Sequence, residues 1–469
     1  MHQPVYIISD LHLCDGGPRD DFDPIADDTA LAAFLDHLLP QPPALLLING
    51  DFMDFVQVQP RSTPPMWYDD VLDCTEAESL EKLEAVMRAH ATVFDALGRW
   101  VAAGHALRWH LGNHDIDLVW PRLQQRLAER LTGAATHPAL SWGEALEVAG
   151  LYVEHGHRAD PANSFPGRVL IENDATGTPR LARCWGTRLV EEFYNEIEAL
   201  PGCDMLDNAR PMLGTAVQII LHSVRTPSMH PTLKTGLKLI INTLAALRTT
   251  QDANFAAAQI GLRQSWQIRG LFLVAGFFQL GNELRDAWAS LGTLGDGDET
   301  LDSAALHRAY AEGASITSTD DLAAALDAAE AADAVEHTPR PGVLGGAEPQ
   351  ATARQFYDDV GTQSFVQLAA ACANEHPGVQ VVCFGHTHRV IGTPLRVDDQ
   401  PGWPLPNSRA RYYNSGSWTA SLDLDALPAN QRSFAALQDR SLYRRGRDYL
   451  KVTWPGGMNF PQVEERSWQ

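Results

Sequence analysis

The stretch VYIISDLH, residues 5–12, decides how the chain is read. Val5 to Ile8 make the short apolar run of a buried strand, and the polar SDLH that follows ends it abruptly. ALLLI (Ala44 to Ile48), running into NGDFMD, repeats the arrangement. Between them TALAAFLDHLL (Thr29 to Leu39) has helical spacing. A long helix is expected from Glu76 to about Ala102, opened by Thr75 with Glu78 three residues on, the capping-box pattern. LRWHL (Leu107 to Leu111) reads as a third strand, Pro121 as a helix opening, and LYVEH (Leu151 to His155) as a fourth strand. Strand–helix alternation of this kind predicts an α/β fold with helices covering the sheets.

Past residue 160 the texture changes. From about Arg188 to Leu280 the pattern is helical, with Leu233, Leu237, Ile240, Ile241, Leu244 and Leu247 on one face. Residues 282–350 are rich in Ala, Asp and Glu, and 338–350 (TPRPGVLGGAEPQ) reads as a flexible linker. Strands resume at VQVVCF (Val379 to Phe384) and RYYN (Arg411 to Asn414). The expectation is one α/β core, residues 1–160 and 376–469, interrupted by a mainly helical insertion over 161–375 with an acidic Ala/Gly/Pro-rich linker near 282–350.

Composition narrows the class of protein. With 36 basic against 59 acidic side chains the net charge is −23, which disfavours stable nucleic-acid binding, since phosphate neutralisation needs clustered Lys and Arg. The 45% hydrophobic content suffices for a sizeable core. Six cysteines form no CxxC pair and are too sparse for a disulfide scaffold, so a reducing compartment is the simpler reading. A strand at Val5 leaves no room for a signal peptide, and Leu271 to Phe278 (LFLVAGFF) is far short of the ~20 residues that span a bilayer. A cytoplasmic protein is expected.

Five polar motifs follow five expected strands: SDLH (Ser9 to His12), NGDFMD (Asn49 to Asp54), GNHD (Gly112 to Asp115), HGH (His155 to His157) and GHTH (Gly385 to His388). Ligands of open α/β sheets bind beyond the carboxyl ends of the strands, so these loops are placed to converge. Asp, Asn and His without a thiolate suit Mn, Fe or Zn better than a soft metal. A carboxylate just after Gly50 is placed to bridge two ions, and His386 and His388, one residue apart, to address one each. A two-metal site of this kind activates water and clamps a phosphoryl group for in-line attack.

In order and content the set (D-x-H, G-D-x-x-D, G-N-H-D, a lone H, G-H-x-H) resembles the calcineurin-like metallophosphoesterase superfamily. The resemblance frames residues 4–160 and 376–420 and implies a four-layer α/β/β/α sandwich carrying the helical insertion. It implies two divalent metals, manganese favoured, with Asp10, His12, Asp51 and His388 on one and Asn113, His155 and His386 completing the second, which shares Asp51. It further implies that His114 stabilises phosphoryl oxygens or protonates the leaving group, that Asp115 fixes that imidazole, and that metal-bound hydroxide attacks without a covalent phosphoenzyme. SDLHL followed by GDxxD is also similar to the UDP-2,3-diacylglucosamine pyrophosphatases, which are shorter, commonly carry Arg at the place of His114, and read HGD where this chain reads HGH.

Other residues are weighed more simply. His157 is an alternative to His155, Asp54 a support for its loop, and His105 and His110 strand residues without a role. Arg158 and Arg389 each directly follow a metal motif, placed to grip substrate phosphate, or else solvated. Asn414 ends a strand near the site, to shape the pocket floor or only to turn the chain. From about Met205 to Gly270 the chain is locally basic, with Lys234 and Lys238 one helical turn apart beside the apolar stripe. That segment is read as a lid selecting the substrate, with peripheral contact to the inner membrane surface as a second role. The plainer reading is a half-buried cap whose lysines face water.

The expected activity is therefore hydrolysis of a small or lipid-linked phosphodiester, pyrophosphate or phosphomonoester. A cyclic-nucleotide phosphodiesterase, or a non-catalytic scaffold binding a partner or membrane through the insertion, are the alternatives. Oligomeric state is left open.

Overall fold

In this computed structural model the first strand, β1 (Val5–Ile8), lies inside a six-stranded sheet. The structure describes residues 2–60, 72–160, 162–198, 203, 205–210, 212–226, 229–230, 233–234, 236–238, 265–280, 303–336, 360–389, 401–424, 427, 431, 433–457 and 460–469. β1 pairs in parallel with β2 (Leu45–Asn49), Val5 opposite Leu45 through Ile8 opposite Ile48. On its other side it pairs antiparallel with β15 (Asp448–Thr453). β3 (Ala106–His110) and β4 (Leu140–Gly143) continue the parallel run, and β16 (Gln462–Ser467) closes the far edge beyond β15.

The second sheet has three parallel strands, β6 (Leu151–Glu154), β10 (Val381–Phe384) and β12 (Arg411–Asn414). Antiparallel β5 (Ala145–Val148) and β11 (Trp403–Pro404) form its edges. Side chains alternate along a strand, and here both faces are buried. Val5, Ile7 and Leu47 share a core with Leu151, Val153, Val381 and Cys383 of the second sheet. Tyr6, Ile8, Leu46 and Ile48 join a separate core with Leu31, Phe34, Leu83, Val86, Phe94, Leu97 and Leu127 of the helices. Strands covered on both faces read as unbroken apolar runs, which is why VYII and ALLLI show no polar alternation. Each fully buried Leu or Ile contributes roughly 1.5–3 kcal/mol relative to exposure.

The covering helices are α1 (Ala26–Leu38), α2 (Glu76–Ala89), α3 (Ala91–Ala102) and α4 (Pro121–Thr132). The Thr75–Glu78 capping box forms in both directions, and Pro121 is the first residue of its helix. The single helix expected over 76–102 is divided at His90, whose φ/ψ of −104°/37° leaves the helical region. The buried His90 ring sits between two carboxylates, with Nδ1 at 2.7 Å from Asp28 and Nε2 at 2.9 Å from Asp20. Burial disfavours the imidazolium, but the two acids outweigh it and raise the pKa to about 9. That buried ion pairing sits at the break, and helical periodicity carries no sign of it.

The chain divides into two compact units, one of Met1–Glu191, Gln363–Ser421 and Arg444–Gln469, the other of Glu192–Thr362 and Leu422–Tyr443. The core expected to end at 160 thus continues to 191, because Leu181, Ala182 and Cys184 are buried in the helix-side core and Leu181 exchanges backbone hydrogen bonds with Asp73 and Cys74. In the second unit, α5 (Met212–Val224), α6 (Ser265–Phe277), α7 (Ser303–Ser315) and α8 (Thr319–Glu336) are helical. The last two fall inside the stretch read as linker; alanine is the strongest helix former, and its abundance there signals helix. Gly313 lets α7 approach α6 closely, since a Cβ there would come within 2.0 Å of the Leu273 carbonyl.

Arg225 pairs with Asp327 and Glu330, and Arg269 with Glu312, so part of the basic surplus is neutralised inside this unit. Lys234 and Lys238 are exposed while Leu233 and Leu237 are buried. Residues 338–350, Ile240 to Leu247, Arg248 and Arg263 lie outside the described residues. Among the described residues no helix is long and apolar enough to cross a membrane. All six cysteines are buried free thiols.

Candidate metal centre

β1, β2 and β3 are parallel in one sheet, β6 and β10 in the other, and each runs directly into one of the five polar motifs. Three overlapping groups of potential ligands result: Asp10, His12 and His388; His12, Asp51 and His114; Asp51, His155 and His386. Within each group the donor atoms lie within 4.8 Å of one another. Asp51 belongs to two of the groups, and His12 joins the first to the second.

The backbone is bent to make this possible. Asp10, His12, Asp51, His386 and His388 all have positive φ, from 50° to 69°, half of the ten non-glycine residues in that region among those described. Such conformations cost about 1–3 kcal/mol each and persist where the surroundings impose them, typically at functional sites. Glycines make room beside them. A Cβ on Gly112 would fall 2.0 Å from Asp51 Oδ1, and Gly50, at φ 82°, presses on the His155 ring where a Cβ would come within 2.5 Å.

Asp51 is 2% exposed and lies at the junction. Its Oδ2 is 3.0 Å from His155 Nε2 and 3.9 Å from His12 Nε2, and its Oδ1 accepts the His114 backbone N–H at 2.9 Å. Burial works against its charge, but His155 and His114 overcome that and hold the carboxyl well below the usual range. Burial likewise opposes protonation of His155, while Asp51 and Asp10 raise it to about 9. His155 donates Nδ1–H to the Asn49 carbonyl at 2.8 Å, so Nε2 is the nitrogen left to face Asp51. His157 is not its substitute: its ring lies 5.5 Å from that of His155 and packs edge-on against Phe165.

At the other group, His388 Nε2 is 3.4 Å from Asp10 Oδ1 and 3.2 Å from His12 Nε2. The Asp10 carboxylate also accepts the His386 backbone N–H. Asn113 is buried; its amide nitrogen donates to Asn163 Oδ1 at 3.2 Å, and its Oδ1 has no hydrogen-bond partner among the described residues. A buried amide oxygen left in this way, beside a carboxylate–imidazole set, fits a divalent cation.

Asp115 does not hold His114. Its carboxylate accepts the Gly112 N–H at 2.6 Å and the Phe52 N–H at 2.9 Å, locking the GNHD turn to the loop after β2. Burial, then the neighbouring Asp51, raise its pKa to about 7. The residue that orients His114 is Asp54, whose Oδ2 lies 2.8 Å from His114 Nδ1 and 3.0 Å from His12 Nδ1. A carboxylate only accepts, so both rings carry their proton on Nδ1 and turn Nε2 the other way. The two rings meet edge to face at 4.6 Å.

Asn414 is committed as well. Its amide donates to the Gly385 carbonyl at 2.6 Å and its oxygen accepts from Gly416, so it buttresses the GHTH turn instead of meeting a substrate. Arg158 is paired with Glu154 and lines a cavity of about 360 Å³ whose wall includes Gly112, His155, His157, Phe165 and Arg168. Arg389 is half-exposed and its N–H meets Thr387 Oγ1. Beyond Asp54, the sequence reading missed Asp160, which sits 3.2 Å from His386 Nε2, because 226 positions separate the pair.

The family model for calcineurin-like phosphoesterases matches residues 3–172. Comparison with curated proteins and with solved structures finds no match. The matched segment holds four of the five motifs, from SDLH to HGH, each at the end of a strand. Residues 3–172 are thus a calcineurin-like phosphoesterase domain, which supports metal-dependent phosphoesterase chemistry in general.

Proposed function

We propose that the chain hydrolyses a P–O bond of a phosphodiester, pyrophosphate or phosphomonoester with two divalent cations, manganese favoured, on the four-layer sandwich of its superfamily. The observation that carries this reading is the sharing of Asp51 between overlapping ligand groups drawn from separate loops. Asp10, His12 and His388 would hold one cation, Asn113, His155 and His386 the other, and Asp51 both. When bound, such a pair acidifies water and neutralises phosphoryl charge.

The chain's own groups do the rest. His114, with Nδ1 on Asp54, presents Nε2 to an ester oxygen and is suited to deliver a proton to the leaving group. Arg158 and Arg168 on the cavity beside His155 are assigned to the charge of a bound phosphate ester, with Phe165, Leu170 and Leu368 lining space for its organic portion. Arg389, next to His388, is assigned the same service from the opposite loop.

The test is turnover of a chromogenic aryl phosphodiester by chelator-stripped and manganese-reconstituted protein. Activity should vanish on stripping and return with manganese. Equal turnover in the presence of excess chelator would sink the proposal. A panel of monoesters, diesters and nucleoside diphosphate sugars then identifies the bond.

A further inference from the structure

The loop after β6 does more than deliver His155. Asp160, buried five residues further on, meets His386 Nε2 through Oδ2 at 3.2 Å and accepts Asn163 Nδ2–H on the same oxygen at 2.8 Å. Asp160 Oδ1 accepts the Ala162 N–H at 2.9 Å, which fixes the carboxylate in its turn. Asn163, also buried, accepts the Asn113 amide through Oδ1 at 3.2 Å. Behind it Gly186 packs so closely that a Cβ there would come within 1.9 Å of Asn163 Oδ1.

A continuous relay, His386–Asp160–Asn163–Asn113, therefore ties the GHTH turn to the GNHD turn through the loop that bears His155. His386, Asn113 and His155 are the three residues that the two-cation reading gives to the second position alone. The first position is braced differently, with His12 on Asp54. We infer that Asp160 and Asn163 are positioning residues that set the affinity of the second cation separately from the first, an inference that rests on that two-cation reading. Asp160 keeps the ring proton of His386 on Nε2 and leaves Nδ1 as the donor nitrogen. Asn163 engages the nitrogen end of the Asn113 amide and leaves Oδ1 for the cation. Without them ring and amide lose their fixed orientation, and cation binding has to supply the ordering.

Titration of the metal-free full chain with cobalt(II), followed by visible absorption and checked by elemental analysis, reads the two equivalents separately. Wild type should take up two. Asp160→Ala and Asn163→Ala should each weaken the second equivalent by about 10- to 100-fold and leave the first unchanged. Asp160→Asn keeps an acceptor oxygen for the ring but loses the charge, and should weaken it by about 3- to 10-fold. Thermal unfolding of the metal-free forms checks the fold, and Asp160→Asn carries the test if the alanine variants do not fold. Two equivalents bound with wild-type affinity by the variants, or both equivalents weakened alike, would overturn the inference. A wild-type chain that binds a single equivalent would overturn the two-cation reading instead.

Discussion

Asp51→Ala is expected to lower phosphoesterase turnover by at least about 10³-fold, well beyond the ~10–100-fold that loss of an outer partner costs. The carboxylate lies against His12, His155 and the His114 backbone together. Its removal takes an oxygen ligand from both proposed cation positions and removes one of the hydrogen bonds that tie the GNHD turn to the loop after β2. It also removes one of the two acids, Asp51 and Asp10, that raise the pKa of His155, buried at 1% exposure, so that imidazole should titrate lower in the metal-free variant than in the metal-free wild type. Metal content per chain and steady-state rates check this together. A variant that keeps wild-type rates would contradict the assignment of Asp51 as shared ligand.

Asp54→Ala should reduce kcat by roughly 10²-fold, toward the lower end of what a positioned acid–base group contributes. One oxygen of Asp54 sets the tautomers of both His12 and His114, so its loss misplaces a cation ligand and the proposed proton donor at once. Asp54→Asn, which retains an acceptor, should fall less. Asp115→Asn is the informative contrast: its carboxylate serves two backbone N–H groups, and the change should cost stability more than rate, about 1–3 kcal/mol for a buried donor left without its partner. Steady-state kinetics and thermal unfolding on the three variants separate the cases. A larger rate loss in Asp115→Asn than in Asp54→Ala would restore to Asp115 the orienting role that the family resemblance implies.

Much of this site is legible in the sequence because each motif interrupts an apolar run at a strand end. Strand register and loop placement then follow from burial on both faces, as at Val5 to Ile8 and Val381 to Phe384. What adjacency conveys poorly is which neighbour a side chain meets. Asp115 follows His114 directly yet serves the backbone, while Asp54, 60 positions earlier, takes the ring. Asp160 and His386 likewise meet only through the fold.

The same limit applies to the helices. His90 breaks a run of otherwise helical periodicity because two carboxylates reach it from the loop and helix after β1. In 303–336 the acidic, alanine-rich composition reads as linker, whereas alanine content is what drives those residues into helix. The positive φ shared by Asp10, His12, Asp51, His386 and His388 has no sequence signature beyond the glycines that precede Asp51 and His386.

The central claim, that loops from both sheets gather two cations around one carboxylate, is tested most directly by crystals of the manganese-loaded protein measured at an anomalous wavelength. Two peaks about 3.5–4 Å apart, with Asp51 between them and the side chains of Asp10 and His386 on opposite sides, are predicted. A single peak, or peaks that leave Asp51 uncoordinated, would contradict it.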